Sequence, residues 1–188
     1  MTKRLRAYVG LGANVGDARE NLRRALRALA ALPGVRVRAV SSLYRTRPVG
    51  VTDQPDFLNA AAALDVPAAR DPETGALALL AGLKELEQAI GREPRERWGP
   101  REIDLDLLLF GSHRINAGRP DGHWLEVPHP HMSERLFVLA PLAELSPGLR
   151  PPGWNRTVSA ARAARSEIEG AGAVRRIAEW QPHSHDWR

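Results

Sequence analysis

Apolar positions recur along this chain in alternating and helical registers, and together they spell out a series of strands and helices. Residues 4–12 (LRAYVGLGA) read as a first strand ending in glycines. Asp17 with Glu20 three positions later has the form of a helix N-terminus. Leu22, Ala25, Leu26, Leu29 and Leu32 then make one apolar stripe, which stops at Pro33-Gly34. Val35, Val37 and Ala39 alternate with Arg36 and Arg38 as a half-exposed strand running towards Tyr44. After the loop RTRPVGVTDQPD, Phe57 to Val66 is a small-residue apolar strand. Asp71-Pro72-Glu73 opens a second helix with Leu79, Leu83, Leu86 and Ile90 inward, closed by Gly91. An arginine-rich loop leads into the apolar run Ile103–Phe110, which predicts a buried strand. Residues 111–124 read as a polar loop, Leu125–Pro128 as a short extended piece, and Ser133 or Glu134 through Leu145 as a further helix.

This order predicts an α+β fold: a ferredoxin-like βαββαβ core, with helices packed on one face of an antiparallel sheet. It fills residues 1–150. Residues 151–188, rich in Arg, Ala and Glu, read as a C-terminal extension of the same domain, with His183 and His185 in a frayed tail. At 188 residues the chain suits one domain with a proper core. The absence of cysteine excludes disulfides and thiolate zinc sites. With no stretch of membrane-spanning length and no signal-peptide core, the expectation is a cytoplasmic protein without a membrane partner. The net charge of +5, mostly from arginine, fits an anionic partner, and the guanidinium fork suits a phosphorylated small molecule. Genomic base composition would give the same excess.

The chemistry concentrates in Arg97–Phe110, RWGPREIDLDLLLF. Asp104 and Asp106 alternate with apolar residues, so they share one strand face with Cα atoms roughly 6.6 Å apart. Two unpaired carboxylates there repel each other and lose hydration. A cation between them resolves this, most simply a hard divalent ion. Arg92, Arg95, Arg97 and Arg101 lie just before and within this run. Arginine forks beside paired carboxylates are the parts of a phosphoryl-transfer site, and equally of a structural ion-pair network. Phe57 and Asn59 share a strand face and with Phe137 could hold a flat heterocycle or simply pack in the core. His129, between Pro128 and Pro130, is reachable, and Arg135 follows by six. Gly10, Gly12 and Gly16 miss the dinucleotide fingerprint by one residue, which leaves a tight strand-to-helix turn as the better reading.

Taken together, GLGANVGD, SSLYRTRPVG, DQPDFLNAA, GREPRERWGPREIDLDLLLFG and VPHPHMSERLFVLAPLAEL resemble one family, the 6-hydroxymethyl-7,8-dihydropterin pyrophosphokinases of folate biosynthesis. The blocks occur in the family's order and cover most of residues 6–145. The resemblance implies transfer of pyrophosphate from ATP to the pterin hydroxymethyl group, with release of AMP. It implies two Mg2+ ions on Asp104 and Asp106, and catalytic roles for Arg92, Arg101, Asp104 and Asp106. Arg92, Arg95 and Arg101 would contact the phosphates, with His129 and Arg135 on the ATP side. Leu80, Lys84 and Glu87 would lie near the adenosine, and Leu107 would join the ATP-binding set. Phe57 and Phe137 would sandwich the pterin, with Asn59 on its edge and Thr46, Arg47, Val49 and Asp104 completing the pocket. Trp98 would close over both substrates. Phe57 stands where tyrosine is common in the family, the loop from Gly91 to Trp98 is short, and Ala117–Trp124 looks like an insertion.

The expected partners are these two small molecules and no nucleic acid, and the expected assembly is a monomer, with a homodimer as the other option. Another magnesium-dependent nucleotidyltransferase would show similar aspartates. A ferredoxin-like RNA-binding module would need exposed aromatics on the sheet face, and no such run exists.

Overall fold

A computed structural model describes residues 4–48, 50, 52–93, 99–118, 124–170 and 172–188. Val49, Arg95, Arg97 and Trp98 lie outside these described residues. The first strand, β1 (Arg4–Ala13), leads into helix α1 (Ala18–Ala31), whose N-cap Asp17 accepts a hydrogen bond from the Glu20 N–H. Strands β2 (Arg36–Val40) and β3 (Leu43–Thr46) precede the long β4 (Phe57–Pro67). Helix α2 (Pro72–Ile90) is capped by Asp71 at its start and by Gly91, at φ 105°, at its end. Strand β5 (Asp104–Phe110) is followed by β6 (Ile115–Gly118) and β7 (Trp124–Val127). A 3-10 turn (Met132–Glu134) enters α3 (Leu136–Leu145), and α4 (Val158–Glu169), β8 (Val174–Ala178), β9 (Trp180–Gln181) and β10 (Asp186–Trp187) complete the order.

The principal sheet runs β5-β1-β4-β3-β8, with β2 also paired to β4, and the pairings are antiparallel. Both of its faces are apolar. Val9, Leu11, Ala62, Leu64, Leu105 and Leu107 face α1 and α2, meeting Leu22, Leu26, Leu29, Leu79 and Leu83. Tyr8, Ala63, Leu108 and Leu109 face the other way, under Val138, Leu139 and Leu142 of α3 and Val158 and Ala161 of α4. The expectation of helices on one face is therefore corrected. Both rows of β1, β4 and β5 carry buried apolar residues, and such strands require cover on each side.

Three local expectations also change. The strand read from Val35 to Tyr44 is two strands, broken at Ser41-Ser42. There the Ser41 hydroxyl donates to the Ser42 carbonyl (2.8 Å) and accepts from the Ala61 N–H (2.9 Å). These local bonds stand in for ladder bonds at the kink. Part of the stretch read as a polar loop forms the hairpin β6–β7, whose Ile115, Ala117, Leu125 and Val127 join the core. The C-terminus is not frayed. Strand β8 pairs with β3, and Trp187 is completely buried, its indole N–H donating to the Ser41 carbonyl at 2.8 Å. Asp186 ties this end to Arg19 and Arg23 of α1.

Candidate active site

Strand register builds the floor of the site. Gly10 pairs with Asp106 on one side and Ala61 on the other; Gly12 pairs likewise with Asp104 and Asn59. Directly paired residues share a face, so each aspartate stands beside a glycine with no side chain. A Cβ on Gly12 would come within 3.1 Å of the Asn59 Oδ1. Gly10 and Gly12 are thus mid-strand residues that hollow out the sheet face. The strand-to-helix turn comes later, at Gly16 with φ 65°.

The hollow is a cleft of about 310 Å³. It is lined by Thr46, Arg47, Phe57, Asn59, Lys84, Arg92, Arg101, Asp104, Asp106, His129, Arg135 and Phe137, all named from the sequence. Gly10, Gly12 and His131 also line it, and none of these was expected as a site residue. Leu80 and Leu107 do not line it: they are buried in the core between the sheet and α1–α2. Glu87 is also off the cleft, 3% exposed behind it.

Helix α2 and strand β5 organise the charged wall. The Gly91 cap lets the Arg92 N–H bond the Glu87 carbonyl (3.0 Å), turning the chain back across the end of the helix. The Arg92 guanidinium then reaches both Glu87 (2.5 Å) and Asp104 (2.7 Å). Arg101 approaches the other Asp104 oxygen at 3.2 Å. Glu87 accepts from the Leu105 N–H (2.6 Å) and from Lys84 (2.8 Å), and Lys84 also donates to the Leu105 carbonyl at 3.1 Å. Together, Lys84 and Glu87 satisfy the outer backbone edge of β5 between the two aspartates. Burial opposes the Arg92 charge, but Asp104 and Glu87 more than offset it and raise its pKa. Burial raises the Glu87 carboxyl above its usual range despite Lys84.

Asp106 is held differently. Among the described residues no side chain donates a hydrogen bond to its carboxylate. Burial and then the Asp104 charge push its pKa up, against His129, Lys84 and Arg135. Burial in that position disfavours its charged form more than the nearby cations favour it.

The opposite wall depends on a bulge in β5. The register against β1 shifts between Tyr8 and Val9, so Leu108 and Leu109 both face α3. The Leu108 carbonyl accepts from the His129 N–H at 2.9 Å, which anchors the Pro-His-Pro-His loop at the cleft. The His131 N–H in turn donates to the His129 Nδ1 at 3.2 Å, which leaves the ring proton on Nε2. Burial, with Arg135 and His131 adding to it, lowers the His129 pKa despite Asp106, so the ring is a neutral donor. Arg135 lies over the Phe137 ring, 5.8 Å from its centroid. The Asn59 amide donates to the Thr46 hydroxyl at 2.8 Å, joining β4 to β3 beside Phe57.

Asn14 is a further residue the sequence reading passed over. Its Oδ1 accepts from the Arg101 N–H (2.7 Å), while its amide donates to Gln54 and the Pro55 carbonyl (both 3.0 Å). It therefore fixes the start of the Arg101 segment to the loop that leads into Phe57. Its position directly after the Gly-rich strand end was the available signal.

The profile of 7,8-dihydro-6-hydroxymethylpterin-pyrophosphokinase matches residues 8–147. The chain belongs to this family. The 2-amino-4-hydroxy-6-hydroxymethyldihydropteridine pyrophosphokinase of Pseudomonas aeruginosa is 47% identical over 147 residues, covering 78% of this chain and 84% of the relative. The Bacillus subtilis enzyme of the same name is 45% identical over 139 residues, covering 74% and 77%. The wild-type HPPK-DHPS crystal structure from Plasmodium falciparum shares the fold, with a TM-score of 0.75 at 14% identity. It matches the whole of this chain, which spans about half of that longer one (50%). The family match ends at residue 147, so α4 and β8–β10 fall outside it while belonging to the region that matches by fold.

Proposed function

We propose that this protein transfers a diphosphoryl group from ATP to 6-hydroxymethyl-7,8-dihydropterin, yielding the pterin diphosphate and AMP in folate biosynthesis. The observation that carries this reading is one cleft holding Asp104 and Asp106 at its floor, guanidinium groups on one wall, and Phe57, Asn59 and Phe137 on the other. The strand order β5-β1-β4-β3 fits a ferredoxin-like core, with residues 151–188 as an extension that completes the sheet. The protein is read as a cytoplasmic monomer acting on small molecules, with neither nucleic acid nor membrane as a partner.

Asp104 and Asp106 suit two Mg2+ ions. They are hard oxygen donors on one face, and burial, then the Asp104 charge, holds the Asp106 carboxyl up in pKa. Among the described residues no group of three or more His, Asp or Glu side chains could hold an ion alone. An ion here would share its coordination with substrate phosphates, as magnesium commonly does. When bound, it supplies charge neutralisation of the triphosphate and alignment of the reacting oxygens.

The protein's own part is positioning and electrostatics. Phe57 and Phe137 stack the pterin and Asn59 reads its edge, next to Thr46 and Arg47. Its hydroxyl oxygen attacks the β-phosphorus of ATP in line. The bond to the α,β-bridging oxygen breaks, and the electron pair leaves on AMP. The hydroxyl proton passes to the carboxylate pair. Arg92 and Arg101 stabilise the transferred group, and the neutral His129 donates from Nε2 to phosphate, beside Arg135. Lys84 and the Glu87 behind it support this wall; Val49, Arg95 and Trp98 retain their proposed roles in the pterin pocket, at the phosphates and over the closed site.

Incubation with ATP, magnesium and the hydroxymethyl-dihydropterin is expected to release AMP. Release of ADP would refute the two-phosphoryl transfer. Release of pyrophosphate would instead favour a nucleotidyltransferase.

A further inference from the structure

Helix α3 carries Phe137 in its first turn and Glu144 near its end, seven residues later and therefore on nearly the same face. Glu144 is one of the most heavily bonded side chains in the molecule. Its two oxygens accept from the Ser42 N–H (both at 3.0 Å), the Ser42 hydroxyl (2.9 Å) and the Tyr44 hydroxyl (2.8 Å). Ser42 and Tyr44 bound and begin β3, whose far end carries Thr46 on the cleft wall. Arg176 of β8 closes the group, donating to the Ser42 hydroxyl at 2.7 Å. Tyr44 is nearly buried, and its pKa is pushed up to about 12 by burial and the Glu144 bond, so it stays a donor.

The other end of α3 is fixed from α4. Arg135 at the N-cap position offers no side-chain cap, and Glu169 accepts from the Leu136 N–H at 3.2 Å instead. Arg165 holds Glu169 in place at 2.5 Å. Helix α3 is thus pinned at both ends, and at each end a partner comes from the C-terminal region: Glu169 with Arg165 at one, Arg176 at the other.

We propose that Glu144 and Glu169 are positioning residues for the aromatic slot: they fix α3 so that Phe137 stands at a set distance from Phe57. The C-terminal region then acts as a brace on the pterin half of the site, while Lys84, Arg92 and Arg101 of the phosphate half depend on α2 and β5. The division follows from the contacts. Glu87, Lys84, Arg92 and Arg101 are held through bonds within α2, β5 and the Asn14 turn, and neither Glu144 nor Glu169 takes part in those bonds. The idea rests on the pterin reading above.

Steady-state kinetics separate the two halves. In Glu144→Ala the KM for the pterin is expected to rise on the order of tenfold, the loss of several hydrogen bonds diluted by partial repacking. The KM for ATP should stay within about twofold. Glu144→Gln keeps an acceptor for Ser42 and should recover most of the loss. Tyr44→Phe removes a single bond and serves where Glu144→Ala does not fold; about a threefold rise in the same constant is expected. Glu169→Gln should raise the pterin KM in the same direction; the ATP KM is read in the Glu144 and Tyr44 variants, because Arg135 adjoins Leu136 at the Glu169 end of α3. Parallel changes in both KM values, or a fall in melting temperature with unchanged pterin KM, would overturn the proposal. Wild-type protein assayed alongside keeps the issues apart: if it releases no AMP, the function itself fails, whatever the variants do.

Discussion

Removing the Glu87 carboxylate should expose how much of the site is held from behind. Glu87 is 3% exposed and accepts from the Leu105 N–H, Lys84 and Arg92 at 2.6, 2.8 and 2.5 Å. In Glu87→Ala the Leu105 N–H loses its partner inside the protein, a cost of about 1–3 kcal/mol. The two cations are less exposed to loss. Arg92 keeps Asp104, Lys84 keeps the Leu105 carbonyl, and both are partly solvated. The total should therefore be about 2–4 kcal/mol, at or below the range for an orphaned buried charge. Glu87→Gln retains an acceptor for Leu105 and should cost about 1 kcal/mol. Urea denaturation of the ligand-free protein at neutral pH measures both. Equal losses in the two variants would refute the view that the backbone bond dominates.

The pH dependence gives a second, independent check. The Glu87 carboxyl is raised above its unfolded value of 4.5. Between 4.5 and the raised value, the folded protein keeps a proton that the unfolded chain has released. Stability from this group is full below that window and falls as pH rises through it. Glutamine does not titrate. The stability advantage of wild type over Glu87→Gln should therefore shrink with rising pH, while Asp106 and His129 titrate in both proteins and largely cancel. An advantage that grows across the same window would contradict the assignment.

Three further outcomes are expected. Arg101→Ala should lower kcat on the order of 10²–10³ with little effect on stability, if the guanidinium acts on the transferred group; a tenfold change confined to KM would make it a binding residue. Asp106→Asn should abolish magnesium-dependent turnover yet raise ligand-free stability at neutral pH, because burial raises the Asp106 pKa and so marks a charge the fold disfavours; thermal melts and a turnover assay on one preparation decide it. Trp187→Ala should cost about 3–5 kcal/mol in denaturant unfolding, because the ring is fully buried and its N–H holds the Ser41 carbonyl; a loss under 1 kcal/mol would mean the tail is dispensable for folding.

Periodicity made the helices legible because α1 and α2 bury one clean stripe each between Asp caps and a breaker. It also located β4 and β5. What it missed has a common cause: the partner was distant in sequence. Ser41 and Ser42 read as strand because their substitutes for ladder bonds come from Ala61 and Glu144. The second face of the sheet went unseen because alanines at 60 to 63 give no alternation to read. In the tail, no local pattern marks Trp187 as core, because its place in the main cluster exists only once α1 and the sheet have come together. Family resemblance named the cleft residues, but only coordinates separate Glu87, which props the wall, from Arg92, which faces the cleft. The roles of Gly10 and Gly12 follow from register, and register depends on pairings that a single strand does not encode.

The register also explains how acidic residues can sit in a site meant for a polyanion. Among the described residues, the cleft is lined by five side-chain cations (Arg47, Lys84, Arg92, Arg101 and Arg135) and two aspartates. Without ligands, Asp104 is neutralised by Arg92 and Arg101, the same two side chains proposed to hold the transferred phosphates. In the proposed reaction ATP would offer phosphate oxygens to these arginines, and a divalent cation held by Asp104 would supply the positive charge they give up there. Few charges need be left unpaired at any stage, so the exchange can run without a large desolvation cost. Among the described residues Asp106 has no such ion-pair partner. The cost of burial therefore falls most on Asp106, where a divalent cation would supply positive charge that His129, Lys84 and Arg135 only partly provide.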